Sequence, residues 1–254
     1  RPLCHAATVT WPIRTPLMAV VLLAAPAVVL VGCGDSGTPV ASQATSSSVT
    51  TSAAALLAAT TQAVNAASSV HIEGTAASRG VGAAVSLQLT ATRGSQGEGT
   101  IRIAGTTLNL LVADGTPYVK APYAFWRGSG AGGTVAAKLA DRWITAPSSG
   151  SGAGQITGMT EFVDMSKVLD PIFAAFGTPT RAGTSTVAGV RVVALTDPQG
   201  DELYVPVTGD PLPVRYLSHA AGKEGDVRYT KWNAPVHLSA PANAIDLGAI
   251  GGSG

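Results

Sequence analysis

Ala83 to Ala113 reads AAVSLQLTATRGSQGEGTIRIAGTTLNLLVA, and its period decides the fold class. Val85, Leu87 and Leu89 alternate with Ser86, Gln88 and Thr90, the two-residue period of a strand with one apolar face. Ile101 and Ile103 repeat the pattern. Leu108, Leu110 and Val112 repeat it again, against Asn109 and Leu111. Arg93-Gly94 and Ala104-Gly105 punctuate the runs, and Asp114-Gly115 after the last is a strong hairpin signal. The stretch predicts an antiparallel meander with strands over 83–92, 99–103 and 106–113. Val70 to Thr75 extends it on one side and Pro117 to Lys120 on the other.

Toward the N-terminus the period changes. Ser52 is placed to cap a helix in which Leu56, Leu57, Thr60, Thr61 and Val64 share a face, with alanine filling the rest. Toward the C-terminus, Tyr123, Phe125 and Trp126 precede a flexible glycine-rich run, 128–133. A short helix over 134–140, a brief strand at Trp143 to Thr145 and a Gly/Ser loop over 147–158 follow. Phe162, Met165, Val168, Leu169, Ile172, Phe173 and Phe176 then recur at helical spacing. Pro171 suits the first position of a helix capped by Asp170, so two short helices meeting there are expected. Period two resumes over 181–186, 191–196, 202–207, 213–219 and 226–232, and the tail 240–247 is expected to cap the end of a barrel. Strands, then helices, then strands define an α+β fold with a large antiparallel sheet.

The N-terminal segment carries a different message. Arg14 precedes an apolar stretch from Leu17 to Val31, which ends in Leu30-Val31-Gly32-Cys33. A basic start, a short apolar span and small residues at the cut site read as an export signal. A cysteine directly after the cut is the lipobox pattern of a bacterial lipoprotein. Cys33 is then the lipidation site, and the mature chain sits on the extracytoplasmic face of the cell membrane. A spanning helix needs ~20 apolar residues, whereas this span is shorter, broken by Pro26 and followed by polar residues. The organisation expected is a signal peptide over 1–32, a Ser/Thr-rich tether over 33–52 and one domain over 53–250.

Composition narrows the function. The chain has 254 residues, with sixteen basic and fifteen acidic. A cut before Cys33 removes Arg1 and Arg14 and no acid, leaving a net charge of −1. Such a chain has no electrostatic footprint for nucleic acid. Cys33 would be the mature chain's sole cysteine, which excludes an internal disulfide and a thiol nucleophile in the fold. About 200 residues beyond the tether suffice for one domain with a sizeable core, read as a monomer. Abundant Gly and Ala with few aromatics is the pattern that GC-rich genomes, such as those of actinobacteria, tend to encode.

No catalytic constellation stands out. His71, His219 and His237 are isolated, with none of the spacing that metal sites use. No G-x-S-x-G elbow occurs. Asp197, Asp201 and Glu202, and Asp164 with Asp170, fall where acids satisfy turn and cap donors, not opposed across a cleft as in a glycosidase. The reading is a binding protein, not an enzyme, with no cofactor and no metal.

Several segments match a known family in order. They are the lipobox at Cys33, the alanine-rich helix with Leu56-Leu57 running into Ser69-Val70-His71-Ile72-Glu73-Gly74-Thr75, and Asp114-Gly115 leading into Tyr118-Val119-Lys120. Trp143-Ile144, Leu203-Tyr204-Val205, Pro211-Leu212-Pro213-Val214-Arg215 and Trp232-Asn233-Ala234-Pro235-Val236 complete the set. Over roughly residues 54 to 247 the chain resembles the mycobacterial LppX/LprG family of cell-envelope lipoproteins, which share the fold of the carriers LolA and LolB. The resemblance implies a curved antiparallel half-barrel wrapped around short helices, with an apolar cavity between them. It implies binding of acylated lipids or lipoglycans and their movement through the envelope, with a membrane transporter as a further partner.

Exposing an acyl chain to water costs ~0.8 kcal/mol per methylene, on the order of 10 kcal/mol for a palmitoyl-sized chain. Under the resemblance, Val85, Leu87 and Leu89, Ile101 and Ile103, and Leu108, Leu110 and Val112 supply a trough. Phe162, Val168, Leu169, Ile172, Phe173 and Phe176 supply a lid, with the glycine-rich segments as hinges or mouth loops. Each of these residues would equally be apolar in a filled core. An anchored interaction or sensor module with no cavity is therefore the alternative.

Overall fold

A computed structural model describes residues 51–78, 83–94, 96–145, 156, 158, 161–221 and 224–248, all within the compact unit Val49–Gly254. Helix α1 (Ala53–Ala66) starts at Ser52, whose side chain accepts from the Ala55 N–H at 3.1 Å. It buries Thr60 and Val64. Strands β1 (Ser69–Ser78), β2 (Ala83–Thr92), β3 (Gly97–Ile103), β4 (Thr106–Ala113) and β5 (Thr116–Lys120) form the meander that the sequence predicts.

Its two tightest corners are two-residue loops, Ala104-Gly105 and Asp114-Gly115, with positive φ at both positions. That backbone matches the twist of the strands it joins. Strand β6 (Trp143–Thr145) adds to β5. The second meander is β7 (Thr180–Val187), β8 (Val190–Thr196), β9 (Glu202–Pro206), β10 (Arg215–Ser218) and β11 (Gly225–Thr230). The pairing of β1 with β11, from His71↔Thr230 to Ala76↔Gly225, joins the two meanders. With the short strand β12 (Ile245–Asp246) beside β6, the result is a single curled sheet in the order β12-β6-β5-β4-β3-β2-β1-β11-β10-β9-β8-β7.

Among the described residues, four helices with both ends defined pack on one face of this sheet. Beside α1 they are α2 (Tyr123–Gly128), α3 (Gly133–Leu139) and α4 (Met165–Ala175), the last preceded by a 3-10 turn, Glu161–Val163. Val64, Trp126, Leu139, Met165 and Leu169 from the helices meet Val70, Ile72, Leu89, Leu110 and Ile144 from the strands in the main core. A second cluster sits under β8 and β9, where Val193, Leu195, Leu203 and Val205 surround Phe176 and meet Leu56 and Leu57 of α1. The α+β half-barrel is thus observed.

One element goes beyond the sequence reading, and two local expectations change. The residues Tyr123, Phe125 and Trp126 form a helix, fastened by the Trp126 Nε1–H donating to the Ala121 carbonyl at 3.1 Å. Helix α4 is continuous through Pro171 instead of being two helices meeting at Asp170. Its cap is Asp164, which accepts from the Ser166 N–H at 2.9 Å, while Asp170 lies inside the helix. Proline in a helix interior costs about 3 kcal/mol. Pro171 is exposed, however, and the apolar face formed by Met165, Val168, Leu169, Ile172 and Phe173 recovers more than that by burial.

The tail also differs. Strand β12 (Ile245–Asp246) pairs in parallel with β6, and the tail runs over the outer face of the sheet. Leu238 and Ala244 cover Leu111, Ala113, Tyr118 and Trp143 there. This explains why Leu111 breaks the polar side of its strand.

Candidate functional site

The inner face of the sheet is filled at one end and open at the other. Along β1, Val70 and Ile72 are fully buried, and the next inward positions are Gly74 and Ala76. Along β2, Leu89 is fully buried and Leu87 is only half-buried. On β10 and β11 the corresponding positions are Ser218 and Gly225. Small residues at this end leave a cavity of about 370 Å³ between the sheet and α4. Ile72, Leu87 and Val227 form its floor and Phe162, Val168 and Ile172 its roof. Tyr216 and Tyr229 form one wall, and Glu161 and Lys167 stand among the residues around it.

A hydrogen-bond network holds that wall in place. Asp201, buried in the turn before β9, accepts from the Tyr216 hydroxyl at 2.6 Å, the Ser218 hydroxyl at 3.1 Å and the His219 N–H at 2.7 Å. Burial acts to raise its pKa, but these donors and the Ala220 N–H together hold the carboxyl below its ordinary value. Burial and the carboxylate push the Tyr216 phenol well above its ordinary range. Asp197 shapes the same turn, accepting from the Gln199 and Asp201 N–H groups at 2.8 and 2.9 Å. These acids are structural, as their place in a turn predicts. On the outer face, the Arg215 guanidinium bonds Asp226 at 2.8 and 2.7 Å and, against the opposing effect of burial, holds that carboxyl low.

The roof is fastened at the N-terminal end of α4. Arg93, at the end of β2, donates to the Ser166 hydroxyl at 2.9 Å and to Asp170 at 3.4 Å on α4. The same guanidinium reaches the Val64 carbonyl and Asn65 at the end of α1. Met165 and Leu169 anchor this helix in the core.

Of the fourteen apolar residues assigned to trough and lid, Leu87, Phe162, Val168 and Ile172 line the cavity. Val85, Leu89, Ile101, Leu108, Leu110 and Leu169 are buried in the main core, with Ile103, Val112 and Phe173 packed against it. Phe176 belongs to the second cluster. Cys33 and most of the 147–158 loop lie outside the described residues. The lining from β1, β10 and β11, which includes Ala76, Tyr216, Ser218, Val227 and Tyr229, was not anticipated. Its alternation was visible, but the pairing that brings β11 beside β1 was not.

A larger concavity of about 560 Å³ lies on the outer face among Glu73, Ser86, Gln88, Thr100, Arg102 and Arg228. Its polar and charged lining cannot desolvate a hydrocarbon tail. Among the described residues, no group of three or more His, Cys, Asp or Glu side chains is placed to hold a metal, and no helix is long and apolar enough to cross a membrane.

A curled antiparallel sheet cupped over helices, with a cavity under one of them, is the half-barrel class of fold. The chain shares this fold with LprF from Mycobacterium bovis, at 17% identity and a TM-score of 0.53. The match covers 75% of this chain and 97% of LprF. The Mycobacterium tuberculosis lipoprotein LppX aligns at 15% identity and a TM-score of 0.48, over 73% of this chain and 99% of its own. No protein-family model and no curated protein sequence matches the chain.

Proposed function

We propose that this chain is an envelope lipoprotein that takes the acyl tail of a lipid or lipoglycan into the cavity under α4 and helps move it through the envelope. The observation that carries the reading is the cavity itself. Its volume of about 370 Å³ falls near the lower end of the ~300–1,000 Å³ of ligand pockets, a size that suits one tail. Its floor and roof are apolar, so a tail inside is spared water. The charged side chains Glu161 and Lys167 and the hydroxyls at the wall give a head group polar neighbours. Residues 1–32 act as the signal, 33–52 as the tether, and Cys33 carries the anchor that keeps the domain on the extracytoplasmic face.

The competing reading, an anchored interaction module, requires a filled interior, and the cavity weighs against it. Native mass spectrometry of the purified chain decides between them: a carrier co-purifies with lipid, and lipid-free protein from every host overturns the proposal. Ala76→Phe, which places a ring in the cavity, is expected to abolish lipid retention and leave the circular dichroism spectrum unchanged. For the anchor, Cys33→Ala is expected to lose the lipid modification. Fractionation that still finds mature, membrane-held protein refutes the lipobox.

A further inference from the structure

The cavity wall holds one phenol that the fold does not satisfy. Tyr229 is 2% exposed, faces inward from β11 opposite Ile72, and lines the cavity. Its ring packs at 6.0 Å from that of Trp232. Among the described residues its hydroxyl has no hydrogen-bond partner, although buried tyrosine hydroxyls ordinarily find one. Nor is its oxygen among the fully enclosed unpartnered atoms of the described residues, which include Thr60 Oγ1, Arg93 Nε and Thr145 Oγ1. The oxygen is therefore not fully enclosed, on a side chain that lines the cavity.

The other wall hydroxyls are already committed, because Tyr216 and Ser218 both donate to Asp201. Burial, with Tyr216 nearby, pushes the Tyr229 phenol well above its ordinary range, so it remains a donor. A hydrocarbon alone leaves this donor unmade. An occupant with an acceptor oxygen satisfies it.

We propose that the cavity's occupant carries an acyl carbonyl oxygen, of a fatty acid or of an ester, and that the Tyr229 hydroxyl donates to it. The inference rests on the carrier reading above and narrows its ligand. The carbonyl sits inside the cavity beside β11, and the tail extends under α4.

Three fluorescent probes test it on the purified full chain: cis-parinaric acid, its methyl ester, and the hydrocarbon diphenylhexatriene. Tyr229→Phe is expected to weaken a carbonyl-bearing probe about tenfold and to leave the hydrocarbon unchanged. Loss with the acid alone identifies a free carboxylic acid as the ligand, loss with the ester alone an ester, and loss with both the shared carbonyl. Equal affinities for all three probes in wild type and variant overturn the proposal, and so does an equal loss with all three. If the wild type takes up no probe, the carrier reading fails and this inference falls with it. The unliganded variant gives an independent check, since removing an unpartnered hydroxyl should keep or raise the melting temperature. A fall of several degrees would mean an internal partner and sink the idea.

Discussion

The Tyr216 hydroxyl donates to Asp201 Oδ2 at 2.6 Å, tying a wall of the cavity to the turn that starts β9. This contact makes the cavity wall dependent on a carboxylate. The folded-state pKa of Asp201 lies below its unfolded value because its donors outweigh the effect of burial. Its contribution is therefore fully present above the unfolded pKa of about 3.9 and is lost as the pH falls through the lower, folded value. Asp201→Asn is expected to lower stability at neutral pH by on the order of 2 kcal/mol and to flatten the acid limb of the melting curve. Thermal melts of both proteins from about pH 7 down to about pH 2.5 check this. Parallel acid limbs would remove Asp201 from the account.

The seam between the two meanders rests on Gly74. A Cβ there would overlap the Asp226 carbonyl and press on the Val227 Cα, both backbone atoms that cannot swing away. Gly74→Ala is expected to part β1 from β11 and to leave little folded protein, judged by circular dichroism and the denaturant midpoint. Gly105 has φ +81, and a methyl there would meet no atom within 4 Å, so Gly105→Ala isolates the cost of backbone strain alone. That cost is about 1 kcal/mol. Equal losses from the two substitutions would show that close approach at the seam is not what matters.

Local chemistry made most of the elements readable. The runs at Ala83–Thr92 and Thr106–Ala113 match their strands at both ends, because alternation and turn residues are nearest-neighbour signals. Pro171 misled for a physical reason. A proline's local cost is visible in sequence, whereas the burial that outweighs it depends on a sheet contributed by other parts of the chain. The cavity residues divide along the same line. Leu87 and Val168 were legible as apolar faces, but each follows the same period as its neighbour Leu89 or Leu169, which packs solidly. What separates the two pairs is the small size of the residues opposite, namely Ala76, Ser218 and Gly225, brought together by the β1–β11 and β10–β11 pairings.

The two faces of the sheet should respond independently. Leu238 sits over Leu111, Tyr118 and Trp143 on the outside, and its N–H donates to the Gln96 side chain at 3.3 Å, whereas the cavity opens on the inside. Leu238 is half-buried, so Leu238→Ala is expected to cost about 1–2 kcal/mol, less than a fully enclosed leucine. Urea titration measures that loss, and probe uptake by the same variant is expected to equal that of the wild type. A drop in uptake at unchanged stability would mean that the tail reaches the cavity through the sheet, and the separation of a structural outer face from a binding inner face would then be wrong.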